Sequence, residues 1–305
     1  MNRYLLIRTA LILPTLLGVS LVTFALIHAA PGGPLERAVT RMLQDPMIAD
    51  QAQLTPAILE NLRSHYQFDK PLLDRYLSWL SRISQWNLGE SDLYRRPVSE
   101  VMGPRLWRSA VYGFWALPTC YLLAFFWSLV HLSCRKEWVR GVSILTSALL
   151  YCLPPLVLAL GLKYVLGSGT FFVVVLGYVL SHLAMMVLLF RGALLEESEK
   201  EYVKVAKAKG LSDSEVVRSH TLRNALIPIV TSLSYSVMAF FSGALFLEVV
   251  FQIDGLGMLS YKAALARDYN LMMGIIILVA CLFVVARWIS DLLFLVVDPR
   301  LRRAQ

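Results

Sequence analysis

The sequence predicts an all-α, polytopic membrane protein with about six transmembrane helices. Apolar residues make up 57% of its 305 residues, and its mean hydropathy of +0.60 is well above that of a soluble domain. The short connections between the apolar runs carry basic residues that fall on one side of the predicted helices, and the long loop 35–108 carries further arginines. The charge-free runs that are long enough to cross a bilayer are Thr9–Pro34, Ser109–Ser133, Gly141–Leu162, Tyr164–Phe190, Ala225–Leu247 and Tyr269–Ala286.

The predicted elements divide the chain into four segments. Residues 1–34 form a first transmembrane helix, which we expect to be retained because it lacks the small-x-small cleavage site of a signal peptide. Residues 35–108 form a periplasmic loop or cap, residues 109–300 the membrane core, and residues 301–305 a cytoplasmic tail. The turn Gly167–Thr170 should precede the fourth helix proper, and the last helix should continue to about Val297.

The orientation of the chain follows from its short loops. Arginine and lysine residues on one side of the predicted helices mark that side as cytoplasmic, with both termini inside. These residues are Arg3, Arg8, Arg135, Lys136, Arg140, Arg300, Arg302 and Arg303. The net charge of +8 is explained by this bias, and the absence of a soluble basic domain argues against a nucleic-acid partner.

Two features of the chain predict departures from simple straight helices. The loop 35–108 should contain helices near Thr55–His65 and Pro71–Trp86, the second with one apolar face. That face consists of Leu72, Leu73, Tyr76, Leu77 and Leu80. Prolines inside the apolar runs predict bent or interrupted helices, either as in transporters or as simple packing kinks. They are Pro14, Pro118, Pro154, Pro155 and Pro228.

Enzyme functions are disfavoured by the missing motifs. The chain has no His-Glu-x-x-His, Gly-x-Ser-x-Gly or phosphate-loop sequence, so any ATP chemistry must come from a partner chain. The four cysteines lack metal-site spacing, and we expect them to act as small apolar fillers. No directly bound cofactor or metal is therefore expected.

The charged segment Glu201–Pro228, between two apolar runs, predicts a docking element for a soluble partner. The spacing of Glu196 and Glu197 to Lys200, and of Glu201 to Lys204, predicts ion pairs on a solvated helix. Gly210 can adopt positive φ at the end of that helix. Ser212 and Glu215 have the spacing of a capping box that opens a second short helix.

Ionisable residues inside membrane helices are functional candidates, because their burial is costly. Arg287 and Asp291 lie one turn apart and either pair structurally or line a conduit. His182 is expected to be a hydrogen-bonded packing residue rather than a proton relay, and Lys163 to reach the interface by snorkelling. Glu248 is expected at the outer surface, facing either the pathway or lipid headgroups.

The charged segment resembles the cytoplasmic coupling loop of ABC importer permeases of the dipeptide/oligopeptide permease family. The resemblance covers nearly the whole chain. Within the family, the Ala30–Pro34 motif and the motifs of the outer loop most resemble the B-type permease of Yej-like importers. The residues that carry it are Ala30-Pro31-Gly32-Gly33-Pro34, Phe68-Asp69-Lys70-Pro71, Leu88-Gly89-Glu90-Ser91, Glu201-Tyr202-Val203, Ala206-Lys207-Ala208-Lys209-Gly210, His220-x-x-Arg223-Asn224-Ala225-Leu226-x-Pro228, Glu248-Val249-Val250-Phe251, Gly255-Leu256-Gly257, Arg267-Asp268-Tyr269 and Asp298-Pro299-Arg300.

This resemblance implies a type I ABC importer permease fold, with residues 109–300 as the permease core and 191–224 as the coupling loop. It also implies a bacterial inner-membrane protein that forms a heterodimer with a second homologous permease. Two ATPase subunits, which carry ATP and Mg²⁺, would dock beneath, and a periplasmic binding protein would deliver the substrate. The coupling residues it implies are Glu201, Tyr202, Ala206, Gly210, His220, Arg223 and Asn224. Gly210 would set the angle between the two short helices, and Ala206 would keep the contact face small.

Some positions depart from the family pattern and leave the cargo open. Asn87, Asp254, Asn270 and Arg287 replace the family's common Asp, Pro, Pro and Asn, respectively, and the connection between the third and fourth helices is short. We take Glu248, Asp254, Arg287 and Asp291 as pathway candidates. The main prediction is a permease for peptides or peptide-like compounds. The alternatives are a permease for nickel complexes or sugars, a stand-alone secondary transporter, or a structural scaffold.

Overall fold

The computed structural model describes residues 7–29, 70–134, 136–167, 170–241 and 244–297, and these residues are almost entirely helical. A small antiparallel hairpin pairs Glu90 with Pro97 and Ser91 with Arg96. A π-helical turn, Val217–Thr221, connects the helix Asp213–Val216 to the helix Leu222–Phe241. The elements are α1 (Ile12–Ala29), α2 (Leu72–Ser84), β1 (Glu90–Ser91), β2 (Arg96–Pro97), α3 (Val98–Ser133), α4 (Glu137–Cys152), α5 (Pro155–Leu166), α6 (Phe171–Ser198), α7 (Glu201–Ala208), α8 (Asp213–Val216), α9 (Leu222–Phe241), α10 (Leu245–Phe251), α11 (Leu256–Ala266) and α12 (Tyr269–Val297).

The predicted multi-span membrane protein is confirmed. Within the described ranges, five helices are long and apolar enough to cross a membrane, or six if one bent pair counts as a span. That pair is α4 and α5, which meet at an angle of 102° where Pro154 and Pro155 interrupt the backbone. The prediction of an interrupted helix within the run Gly141–Leu162 is therefore confirmed here. Pro118 and Pro228, by contrast, lie inside continuous helices.

Helix boundaries differ from the charge-free runs where charged residues find partners. Helix α3 begins at Val98, well before the predicted start at Ser109. Its N-terminal part includes Arg105 and Arg108, both of which pair with Asp254. The helix therefore extends beyond the apolar run into a segment whose two arginines share one carboxylate partner. The last helix ends at Val297, as predicted.

The fourth predicted helix is shifted towards the C-terminus. Gly167 has a φ of +81°, and α6 begins only at Phe171, which confirms the turn expected before it. Helix α6 then continues to Ser198, into the segment predicted to be part of the coupling loop. The helix predicted near Thr55–His65 lies outside the described residues.

The chain divides into two compact units, one of which contains Met102–Tyr261. Its core is formed by buried side chains of α3, α6, α9 and α10, including Tyr178, Phe190 and Phe240. Gly113 lets α3 approach α9 closely, because a β-carbon there would lie 2.6 Å from the backbone oxygen of Phe240. Cys120 fills this core as predicted, whereas Cys152 is exposed.

The other unit contains Leu13–Val101 and Lys262–Leu278. Its core joins α1, α2 and the start of α12, with Tyr76 and Trp79 packed against Phe24. The Tyr76 hydroxyl and the Ser20 hydroxyl are 2.8 Å apart and share a hydrogen bond. The apolar face predicted for α2 is therefore only partly right. The aromatic residues are buried, whereas Leu72, Leu73 and Leu77 are exposed.

The β-hairpin of this second unit is held by one buried carboxylate. Asp268, which is fully buried, accepts hydrogen bonds from the Ser91 hydroxyl at 2.6 Å and from the Leu93 backbone N–H at 2.9 Å. The Asn270 side chain donates to the Glu90 carbonyl at 2.9 Å. These bonds satisfy polar groups that would otherwise be costly to bury, and they order part of the segment predicted as a cap.

Candidate functional site

The segment between α6 and α9 forms a compact helical hairpin, the coupling hairpin, at residues 201–224. Helix α6 ends at Ser198, Lys200 takes an extended conformation, and α7 begins at Glu201. The Lys200 ammonium contacts the Glu197 carboxylate and lies 3.9 Å from that of Glu196. The two pairs predicted for Lys200 therefore form, but at a break between two helices rather than along one. The pair predicted between Glu201 and Lys204 stays a prediction.

The turn after α7 is a Schellman motif. The Gly210 N–H donates to the Lys207 carbonyl at 3.0 Å, and the Leu211 N–H to the Ala206 carbonyl at 3.4 Å. Gly210 has a φ of +86°, as the sequence predicted, so two otherwise unpaired carbonyls are satisfied. A β-carbon at Gly210 would meet no atom within 4 Å. The glycine is thus favoured by its backbone conformation and not by lack of space.

The predicted capping box opens α8. The Glu215 carboxylate accepts from the Ser212 backbone N–H at 2.9 Å and from its hydroxyl at 2.7 Å. The Glu215 N–H lies 3.4 Å from the Ser212 hydroxyl oxygen, completing the reciprocal pair. The hydrogen bonds from Ser212 lower the pKa of the fully exposed Glu215 carboxyl.

The capping box makes the hairpin sensitive to acid. A carboxyl whose pKa is lowered by folding stabilises the folded form above its ordinary pKa of about 4.3. That stabilisation is lost as the pH falls through the lowered pKa. We therefore expect hydrogen–deuterium exchange of residues 211–218, corrected for intrinsic rates, to accelerate below about pH 4. Glu215→Gln should remove this acid step and Glu201→Gln should keep it. An acid step of equal size in Glu215→Gln would contradict the assignment.

A small apolar cluster fixes the angle between the two short helices. Val203 and Ala206 of α7 pack on Val216 of α8, and all three are buried. A larger residue at Ala206 would push α7 away from α8. The small side chain of Ala206 therefore serves packing within the hairpin, and only 6% of it is exposed for any partner.

A hydrogen-bonded network ties the hairpin to the two long helices beside it. The Tyr202 hydroxyl donates to the Glu197 carboxylate at the end of α6. It also accepts a hydrogen bond of 2.9 Å from the Asn224 amide at the start of α9. Partial burial raises the pKa of Tyr202, and its hydrogen bond to Glu197 raises that pKa further. A separate hydrogen bond from the Lys200 ammonium to Glu197 raises the pKa of Lys200.

The structure brings together some of the predicted coupling residues. Tyr202 and Asn224 are in direct contact, Glu201 and Gly210 are exposed, and Ala206 lies inside the hairpin. The backbone of His220 lies in the π-helical turn. The side chains of His220 and Arg223 lie outside the described part of the structure.

Comparison with known families decides the identity. Residues 109–303, more than half of the chain, match the family described as binding-protein-dependent transport system inner membrane component. The chain belongs to this family. It is therefore a permease subunit of an ABC transporter and a multi-pass protein of the inner membrane, and it is not an enzyme. In such transporters ATP is used by separate subunits.

Individual permeases of known name are similar to this one over nearly its full length. It is 26% identical to the peptidoglycan transport system permease protein YejB of Agrobacterium fabrum, covering 99% of this chain and 98% of that one. It is 30% identical to the di/tripeptide transport system permease protein DppB of Pseudomonas aeruginosa, covering 97% of each. A crystal structure of an amino acid ABC transporter superposes with a TM-score of 0.50 at 15% identity. That superposition covers 73% of this chain and 98% of the other, and it shows the fold alone.

Glu248, predicted at the outer surface of the permease, is instead fully buried. Its carboxylate accepts from the Ser109 hydroxyl at 2.7 Å, the Tyr178 hydroxyl at 3.0 Å and the Met258 N–H at 2.9 Å. Ser109 lies on α3, Tyr178 on α6 and Met258 on α11, so one carboxylate joins three helices to α10. All three partners are donors, which suits an acceptor-only carboxylate.

The surroundings of Glu248 are shaped to fit it. A β-carbon on Gly255 would lie 2.5 Å from the Glu248 carboxyl carbon, so only glycine fits there without a shift. The two donor hydroxyls are themselves satisfied. The Ser109 oxygen accepts from the Leu256 N–H at 2.8 Å, and the Tyr178 oxygen accepts from the Ala244 N–H at 3.0 Å. The burial of Glu248 favours a structural role, and its role in a pathway stays a prediction.

Asp254 and Lys163 make further polar contacts close in sequence to Glu248. Asp254 accepts from Arg105 at 2.9 Å and lies 3.3 Å from Arg108. Lys163 of α5, predicted to snorkel to the interface, donates to the Val250 carbonyl at 2.7 Å. This carbonyl lies in the last turn of α10, where a cation is favourable.

The predicted pair in the last helix is present and has a third member. Asp291 is buried and lies 3.8 Å from Arg287 and 3.7 Å from Arg8. The contact with Arg8 links the segment before α1 to the last helix, which sequence spacing alone did not predict. This arrangement fits a structural pair, and the conduit role of Arg287 and Asp291 stays a prediction.

His182 occupies a packing position in the permease. Its Nδ1 donates to the Tyr178 carbonyl at 3.0 Å, and its ring lies 4.5 Å from that of Phe240. A carbonyl oxygen only accepts, so Nδ1 must carry the proton. This geometry fits the hydrogen-bonded packing histidine expected from the sequence.

Sequence reasoning missed three residues at these centres: Ser109, Tyr178 and Glu197. Ser109 and Tyr178 are polar residues in otherwise apolar runs, and that composition was the available signal. Glu197 was recognised only as an ion-pair partner of Lys200. Its contact with Tyr202 crosses a helix break, where helical spacing rules do not apply.

Proposed function

We propose that this permease imports peptides or peptide-like compounds in an ATP-driven transporter. The relatives that support this cargo carry names for di/tripeptide, dipeptide, oligopeptide and peptidoglycan transport, and they match over 95% or more of the chain. Peptide chemistry is what these names share. The proposed orientation places both termini and the coupling hairpin in the cytoplasm, in keeping with the positive-inside rule.

The observation that carries the coupling role is the exposed face of α7. The outer surface of α7 presents Lys204, Lys207 and the exposed apolar residue Val205, and the turn after it adds Lys209 and the exposed Leu211. A surface with both charge and apolar contacts is typical of a docking helix laid into a groove. The partner groove should therefore be acidic at its rim and apolar at its floor.

The proposed assembly contains a second homologous permease in a heterodimer with this chain. Two ATPase subunits with ATP and Mg²⁺ would dock on the coupling hairpins, and a periplasmic binding protein would deliver the peptide. Closure of the ATPases would displace α7 and bias the membrane helices between two arrangements. Substrate would bias the same equilibrium from the opposite side of the membrane.

Co-purification from mild detergent tests the proposed function. A tagged permease should retain a second permease and an ATPase subunit, and the complex in proteoliposomes should import short peptides only with ATP. The control is the complex incubated with ADP in place of ATP. A chain that purifies alone and transports along an ion gradient without ATP would overturn the ABC coupling proposal. Uptake of a nickel complex or a sugar, but not of peptides, would overturn the proposed cargo alone.

A further inference from the structure

We infer that Glu197 is the positioning residue that passes movement of the coupling helix α7 to the membrane helices α6 and α9. The inference rests on the proposed function, because it assumes that α7 docks on an ATPase. Glu197 lies in the last turn of α6, and its carboxylate accepts from the Tyr202 hydroxyl and from the Lys200 ammonium. Neither the family resemblance nor the sequence motifs included it among the coupling residues.

The direction of each hydrogen bond is fixed by chemistry. An ionised carboxylate only accepts, so the single proton of the Tyr202 hydroxyl points to Glu197. The phenol oxygen then has lone pairs free to accept from the Asn224 amide, at 2.9 Å. The bonds therefore form an ordered chain from Asn224 through Tyr202 to Glu197, in which the charged end strengthens its neighbour.

This chain of bonds connects three helices at one point. Glu197 belongs to α6, Tyr202 to the first turn of α7 and Asn224 to the first turn of α9. The apolar cluster of Val203, Ala206 and Val216 joins α7 to α8, within the hairpin itself. Displacement of α7 by a docked partner would thus reach both long helices through the polar chain and would not be absorbed at the extended residue Lys200.

The neighbouring Glu196 provides a matched comparison. Both glutamates approach Lys200, but the Glu197 side chain is 12% exposed and that of Glu196 is 78% exposed. Glu196 lies 3.9 Å from Lys200, and such an exposed pair contributes little to stability. The two glutamates are adjacent and chemically identical. They differ in burial and in the contact with Tyr202, which only Glu197 makes.

The test compares Glu197→Ala with Glu196→Ala in the complete importer in proteoliposomes. We expect Glu197→Ala to lower the maximal uptake rate about fivefold without changing the substrate KM, because a coupling bond and not a binding contact is lost. ATP hydrolysis should continue, so fewer peptides are imported per ATP. Glu197→Gln keeps an oxygen that accepts from Tyr202 and should recover part of the uptake. Glu196→Ala should remain within about twofold of the unmodified protein.

A double-mutant cycle keeps the inference falsifiable if Glu197→Ala assembles poorly. Tyr202→Phe removes only the phenol donor, and we expect it to reproduce the loss. The double variant Tyr202→Phe with Glu197→Gln should lose less uptake than the two single losses predict together, since both changes remove the same hydrogen bond. Equal uptake in Glu196→Ala and Glu197→Ala, or additive losses in the cycle, would overturn the role of Glu197. ATP-independent uptake by the unmodified complex would instead overturn the proposed function.

Discussion

Replacement of Gly210 by aspartate is expected to lower ATP-driven uptake at least about tenfold while the permease still inserts and assembles. The left-handed conformation of Gly210, with φ +86°, is one that Asp tolerates better than most residues, at a cost of about 1–2 kcal/mol. No atom lies within 4 Å of the position of a new β-carbon, so the added side chain meets no steric clash there. The loss then arises because an added carboxylate would face the acidic groove proposed for the partner.

The matched control is Gly210→Asn, which has nearly the same shape and tolerates the same conformation but carries no charge. Its uptake should stay within about twofold of the unmodified protein, and ATPase subunits should co-purify in normal amount. Uptake and ATP turnover are measured in proteoliposomes, and insertion by recovery from membranes. Equal losses in the two variants would attribute the effect to backbone strain, against the charge argument. Full uptake in Gly210→Asp would contradict the coupling role of this turn.

Replacement of Glu248 by alanine is expected to give the largest loss of stability, about 3 kcal/mol or more. The change removes the acceptor of Ser109, Tyr178 and the Met258 N–H, all inside a centre with no exposed surface at Glu248. A buried donor left without a partner costs about 1–3 kcal/mol, and three are affected at once. The segment Leu245–Met258 should therefore loosen from α3 and α6. Thermal unfolding of the purified complex in detergent measures the loss.

The control for this change is Glu100→Ala. Glu100 lies on the same helix as Ser109, but its side chain is 54% exposed and its partner is Arg96 at 3.2 Å. An exposed pair contributes about 0–1 kcal/mol, so the unfolding temperature should barely change. Similar losses in Glu100→Ala and Glu248→Ala would contradict the special role of the buried centre.

The coupling hairpin was the part of the site most accessible from sequence. Its Schellman turn and capping box satisfy backbone groups with residues no more than five positions away. Local chemistry of this kind leaves a readable spacing, and here Gly210, Ser212 and Glu215 predicted it. The contact of Tyr202 with Glu197 followed no such spacing, because the helix between them is broken at Lys200.

The face of α2 shows where pattern alone failed. Period 3.6 placed Leu72, Leu73 and Leu77 on the apolar side, yet all three are more than half exposed in the described structure. The buried side is set by Tyr76 and Trp79, whose rings meet Phe24 of α1. Large aromatic surfaces gain more from burial than leucines, but which ring finds a partner depends on another helix.

The sequence by itself determined the membrane class, the order of the helices, the interruption at Pro154–Pro155 and the caps of the coupling hairpin. Each of these features depends on composition or on neighbours along the chain, so a short stretch of sequence is enough to predict it. Only the tertiary structure decided that α3 begins at Val98, that Glu248 is buried under three donors and that Arg8 joins Asp291. A charged residue inside the protein needs a partner, and where a distant segment supplies that partner, packing and not sequence spacing sets it.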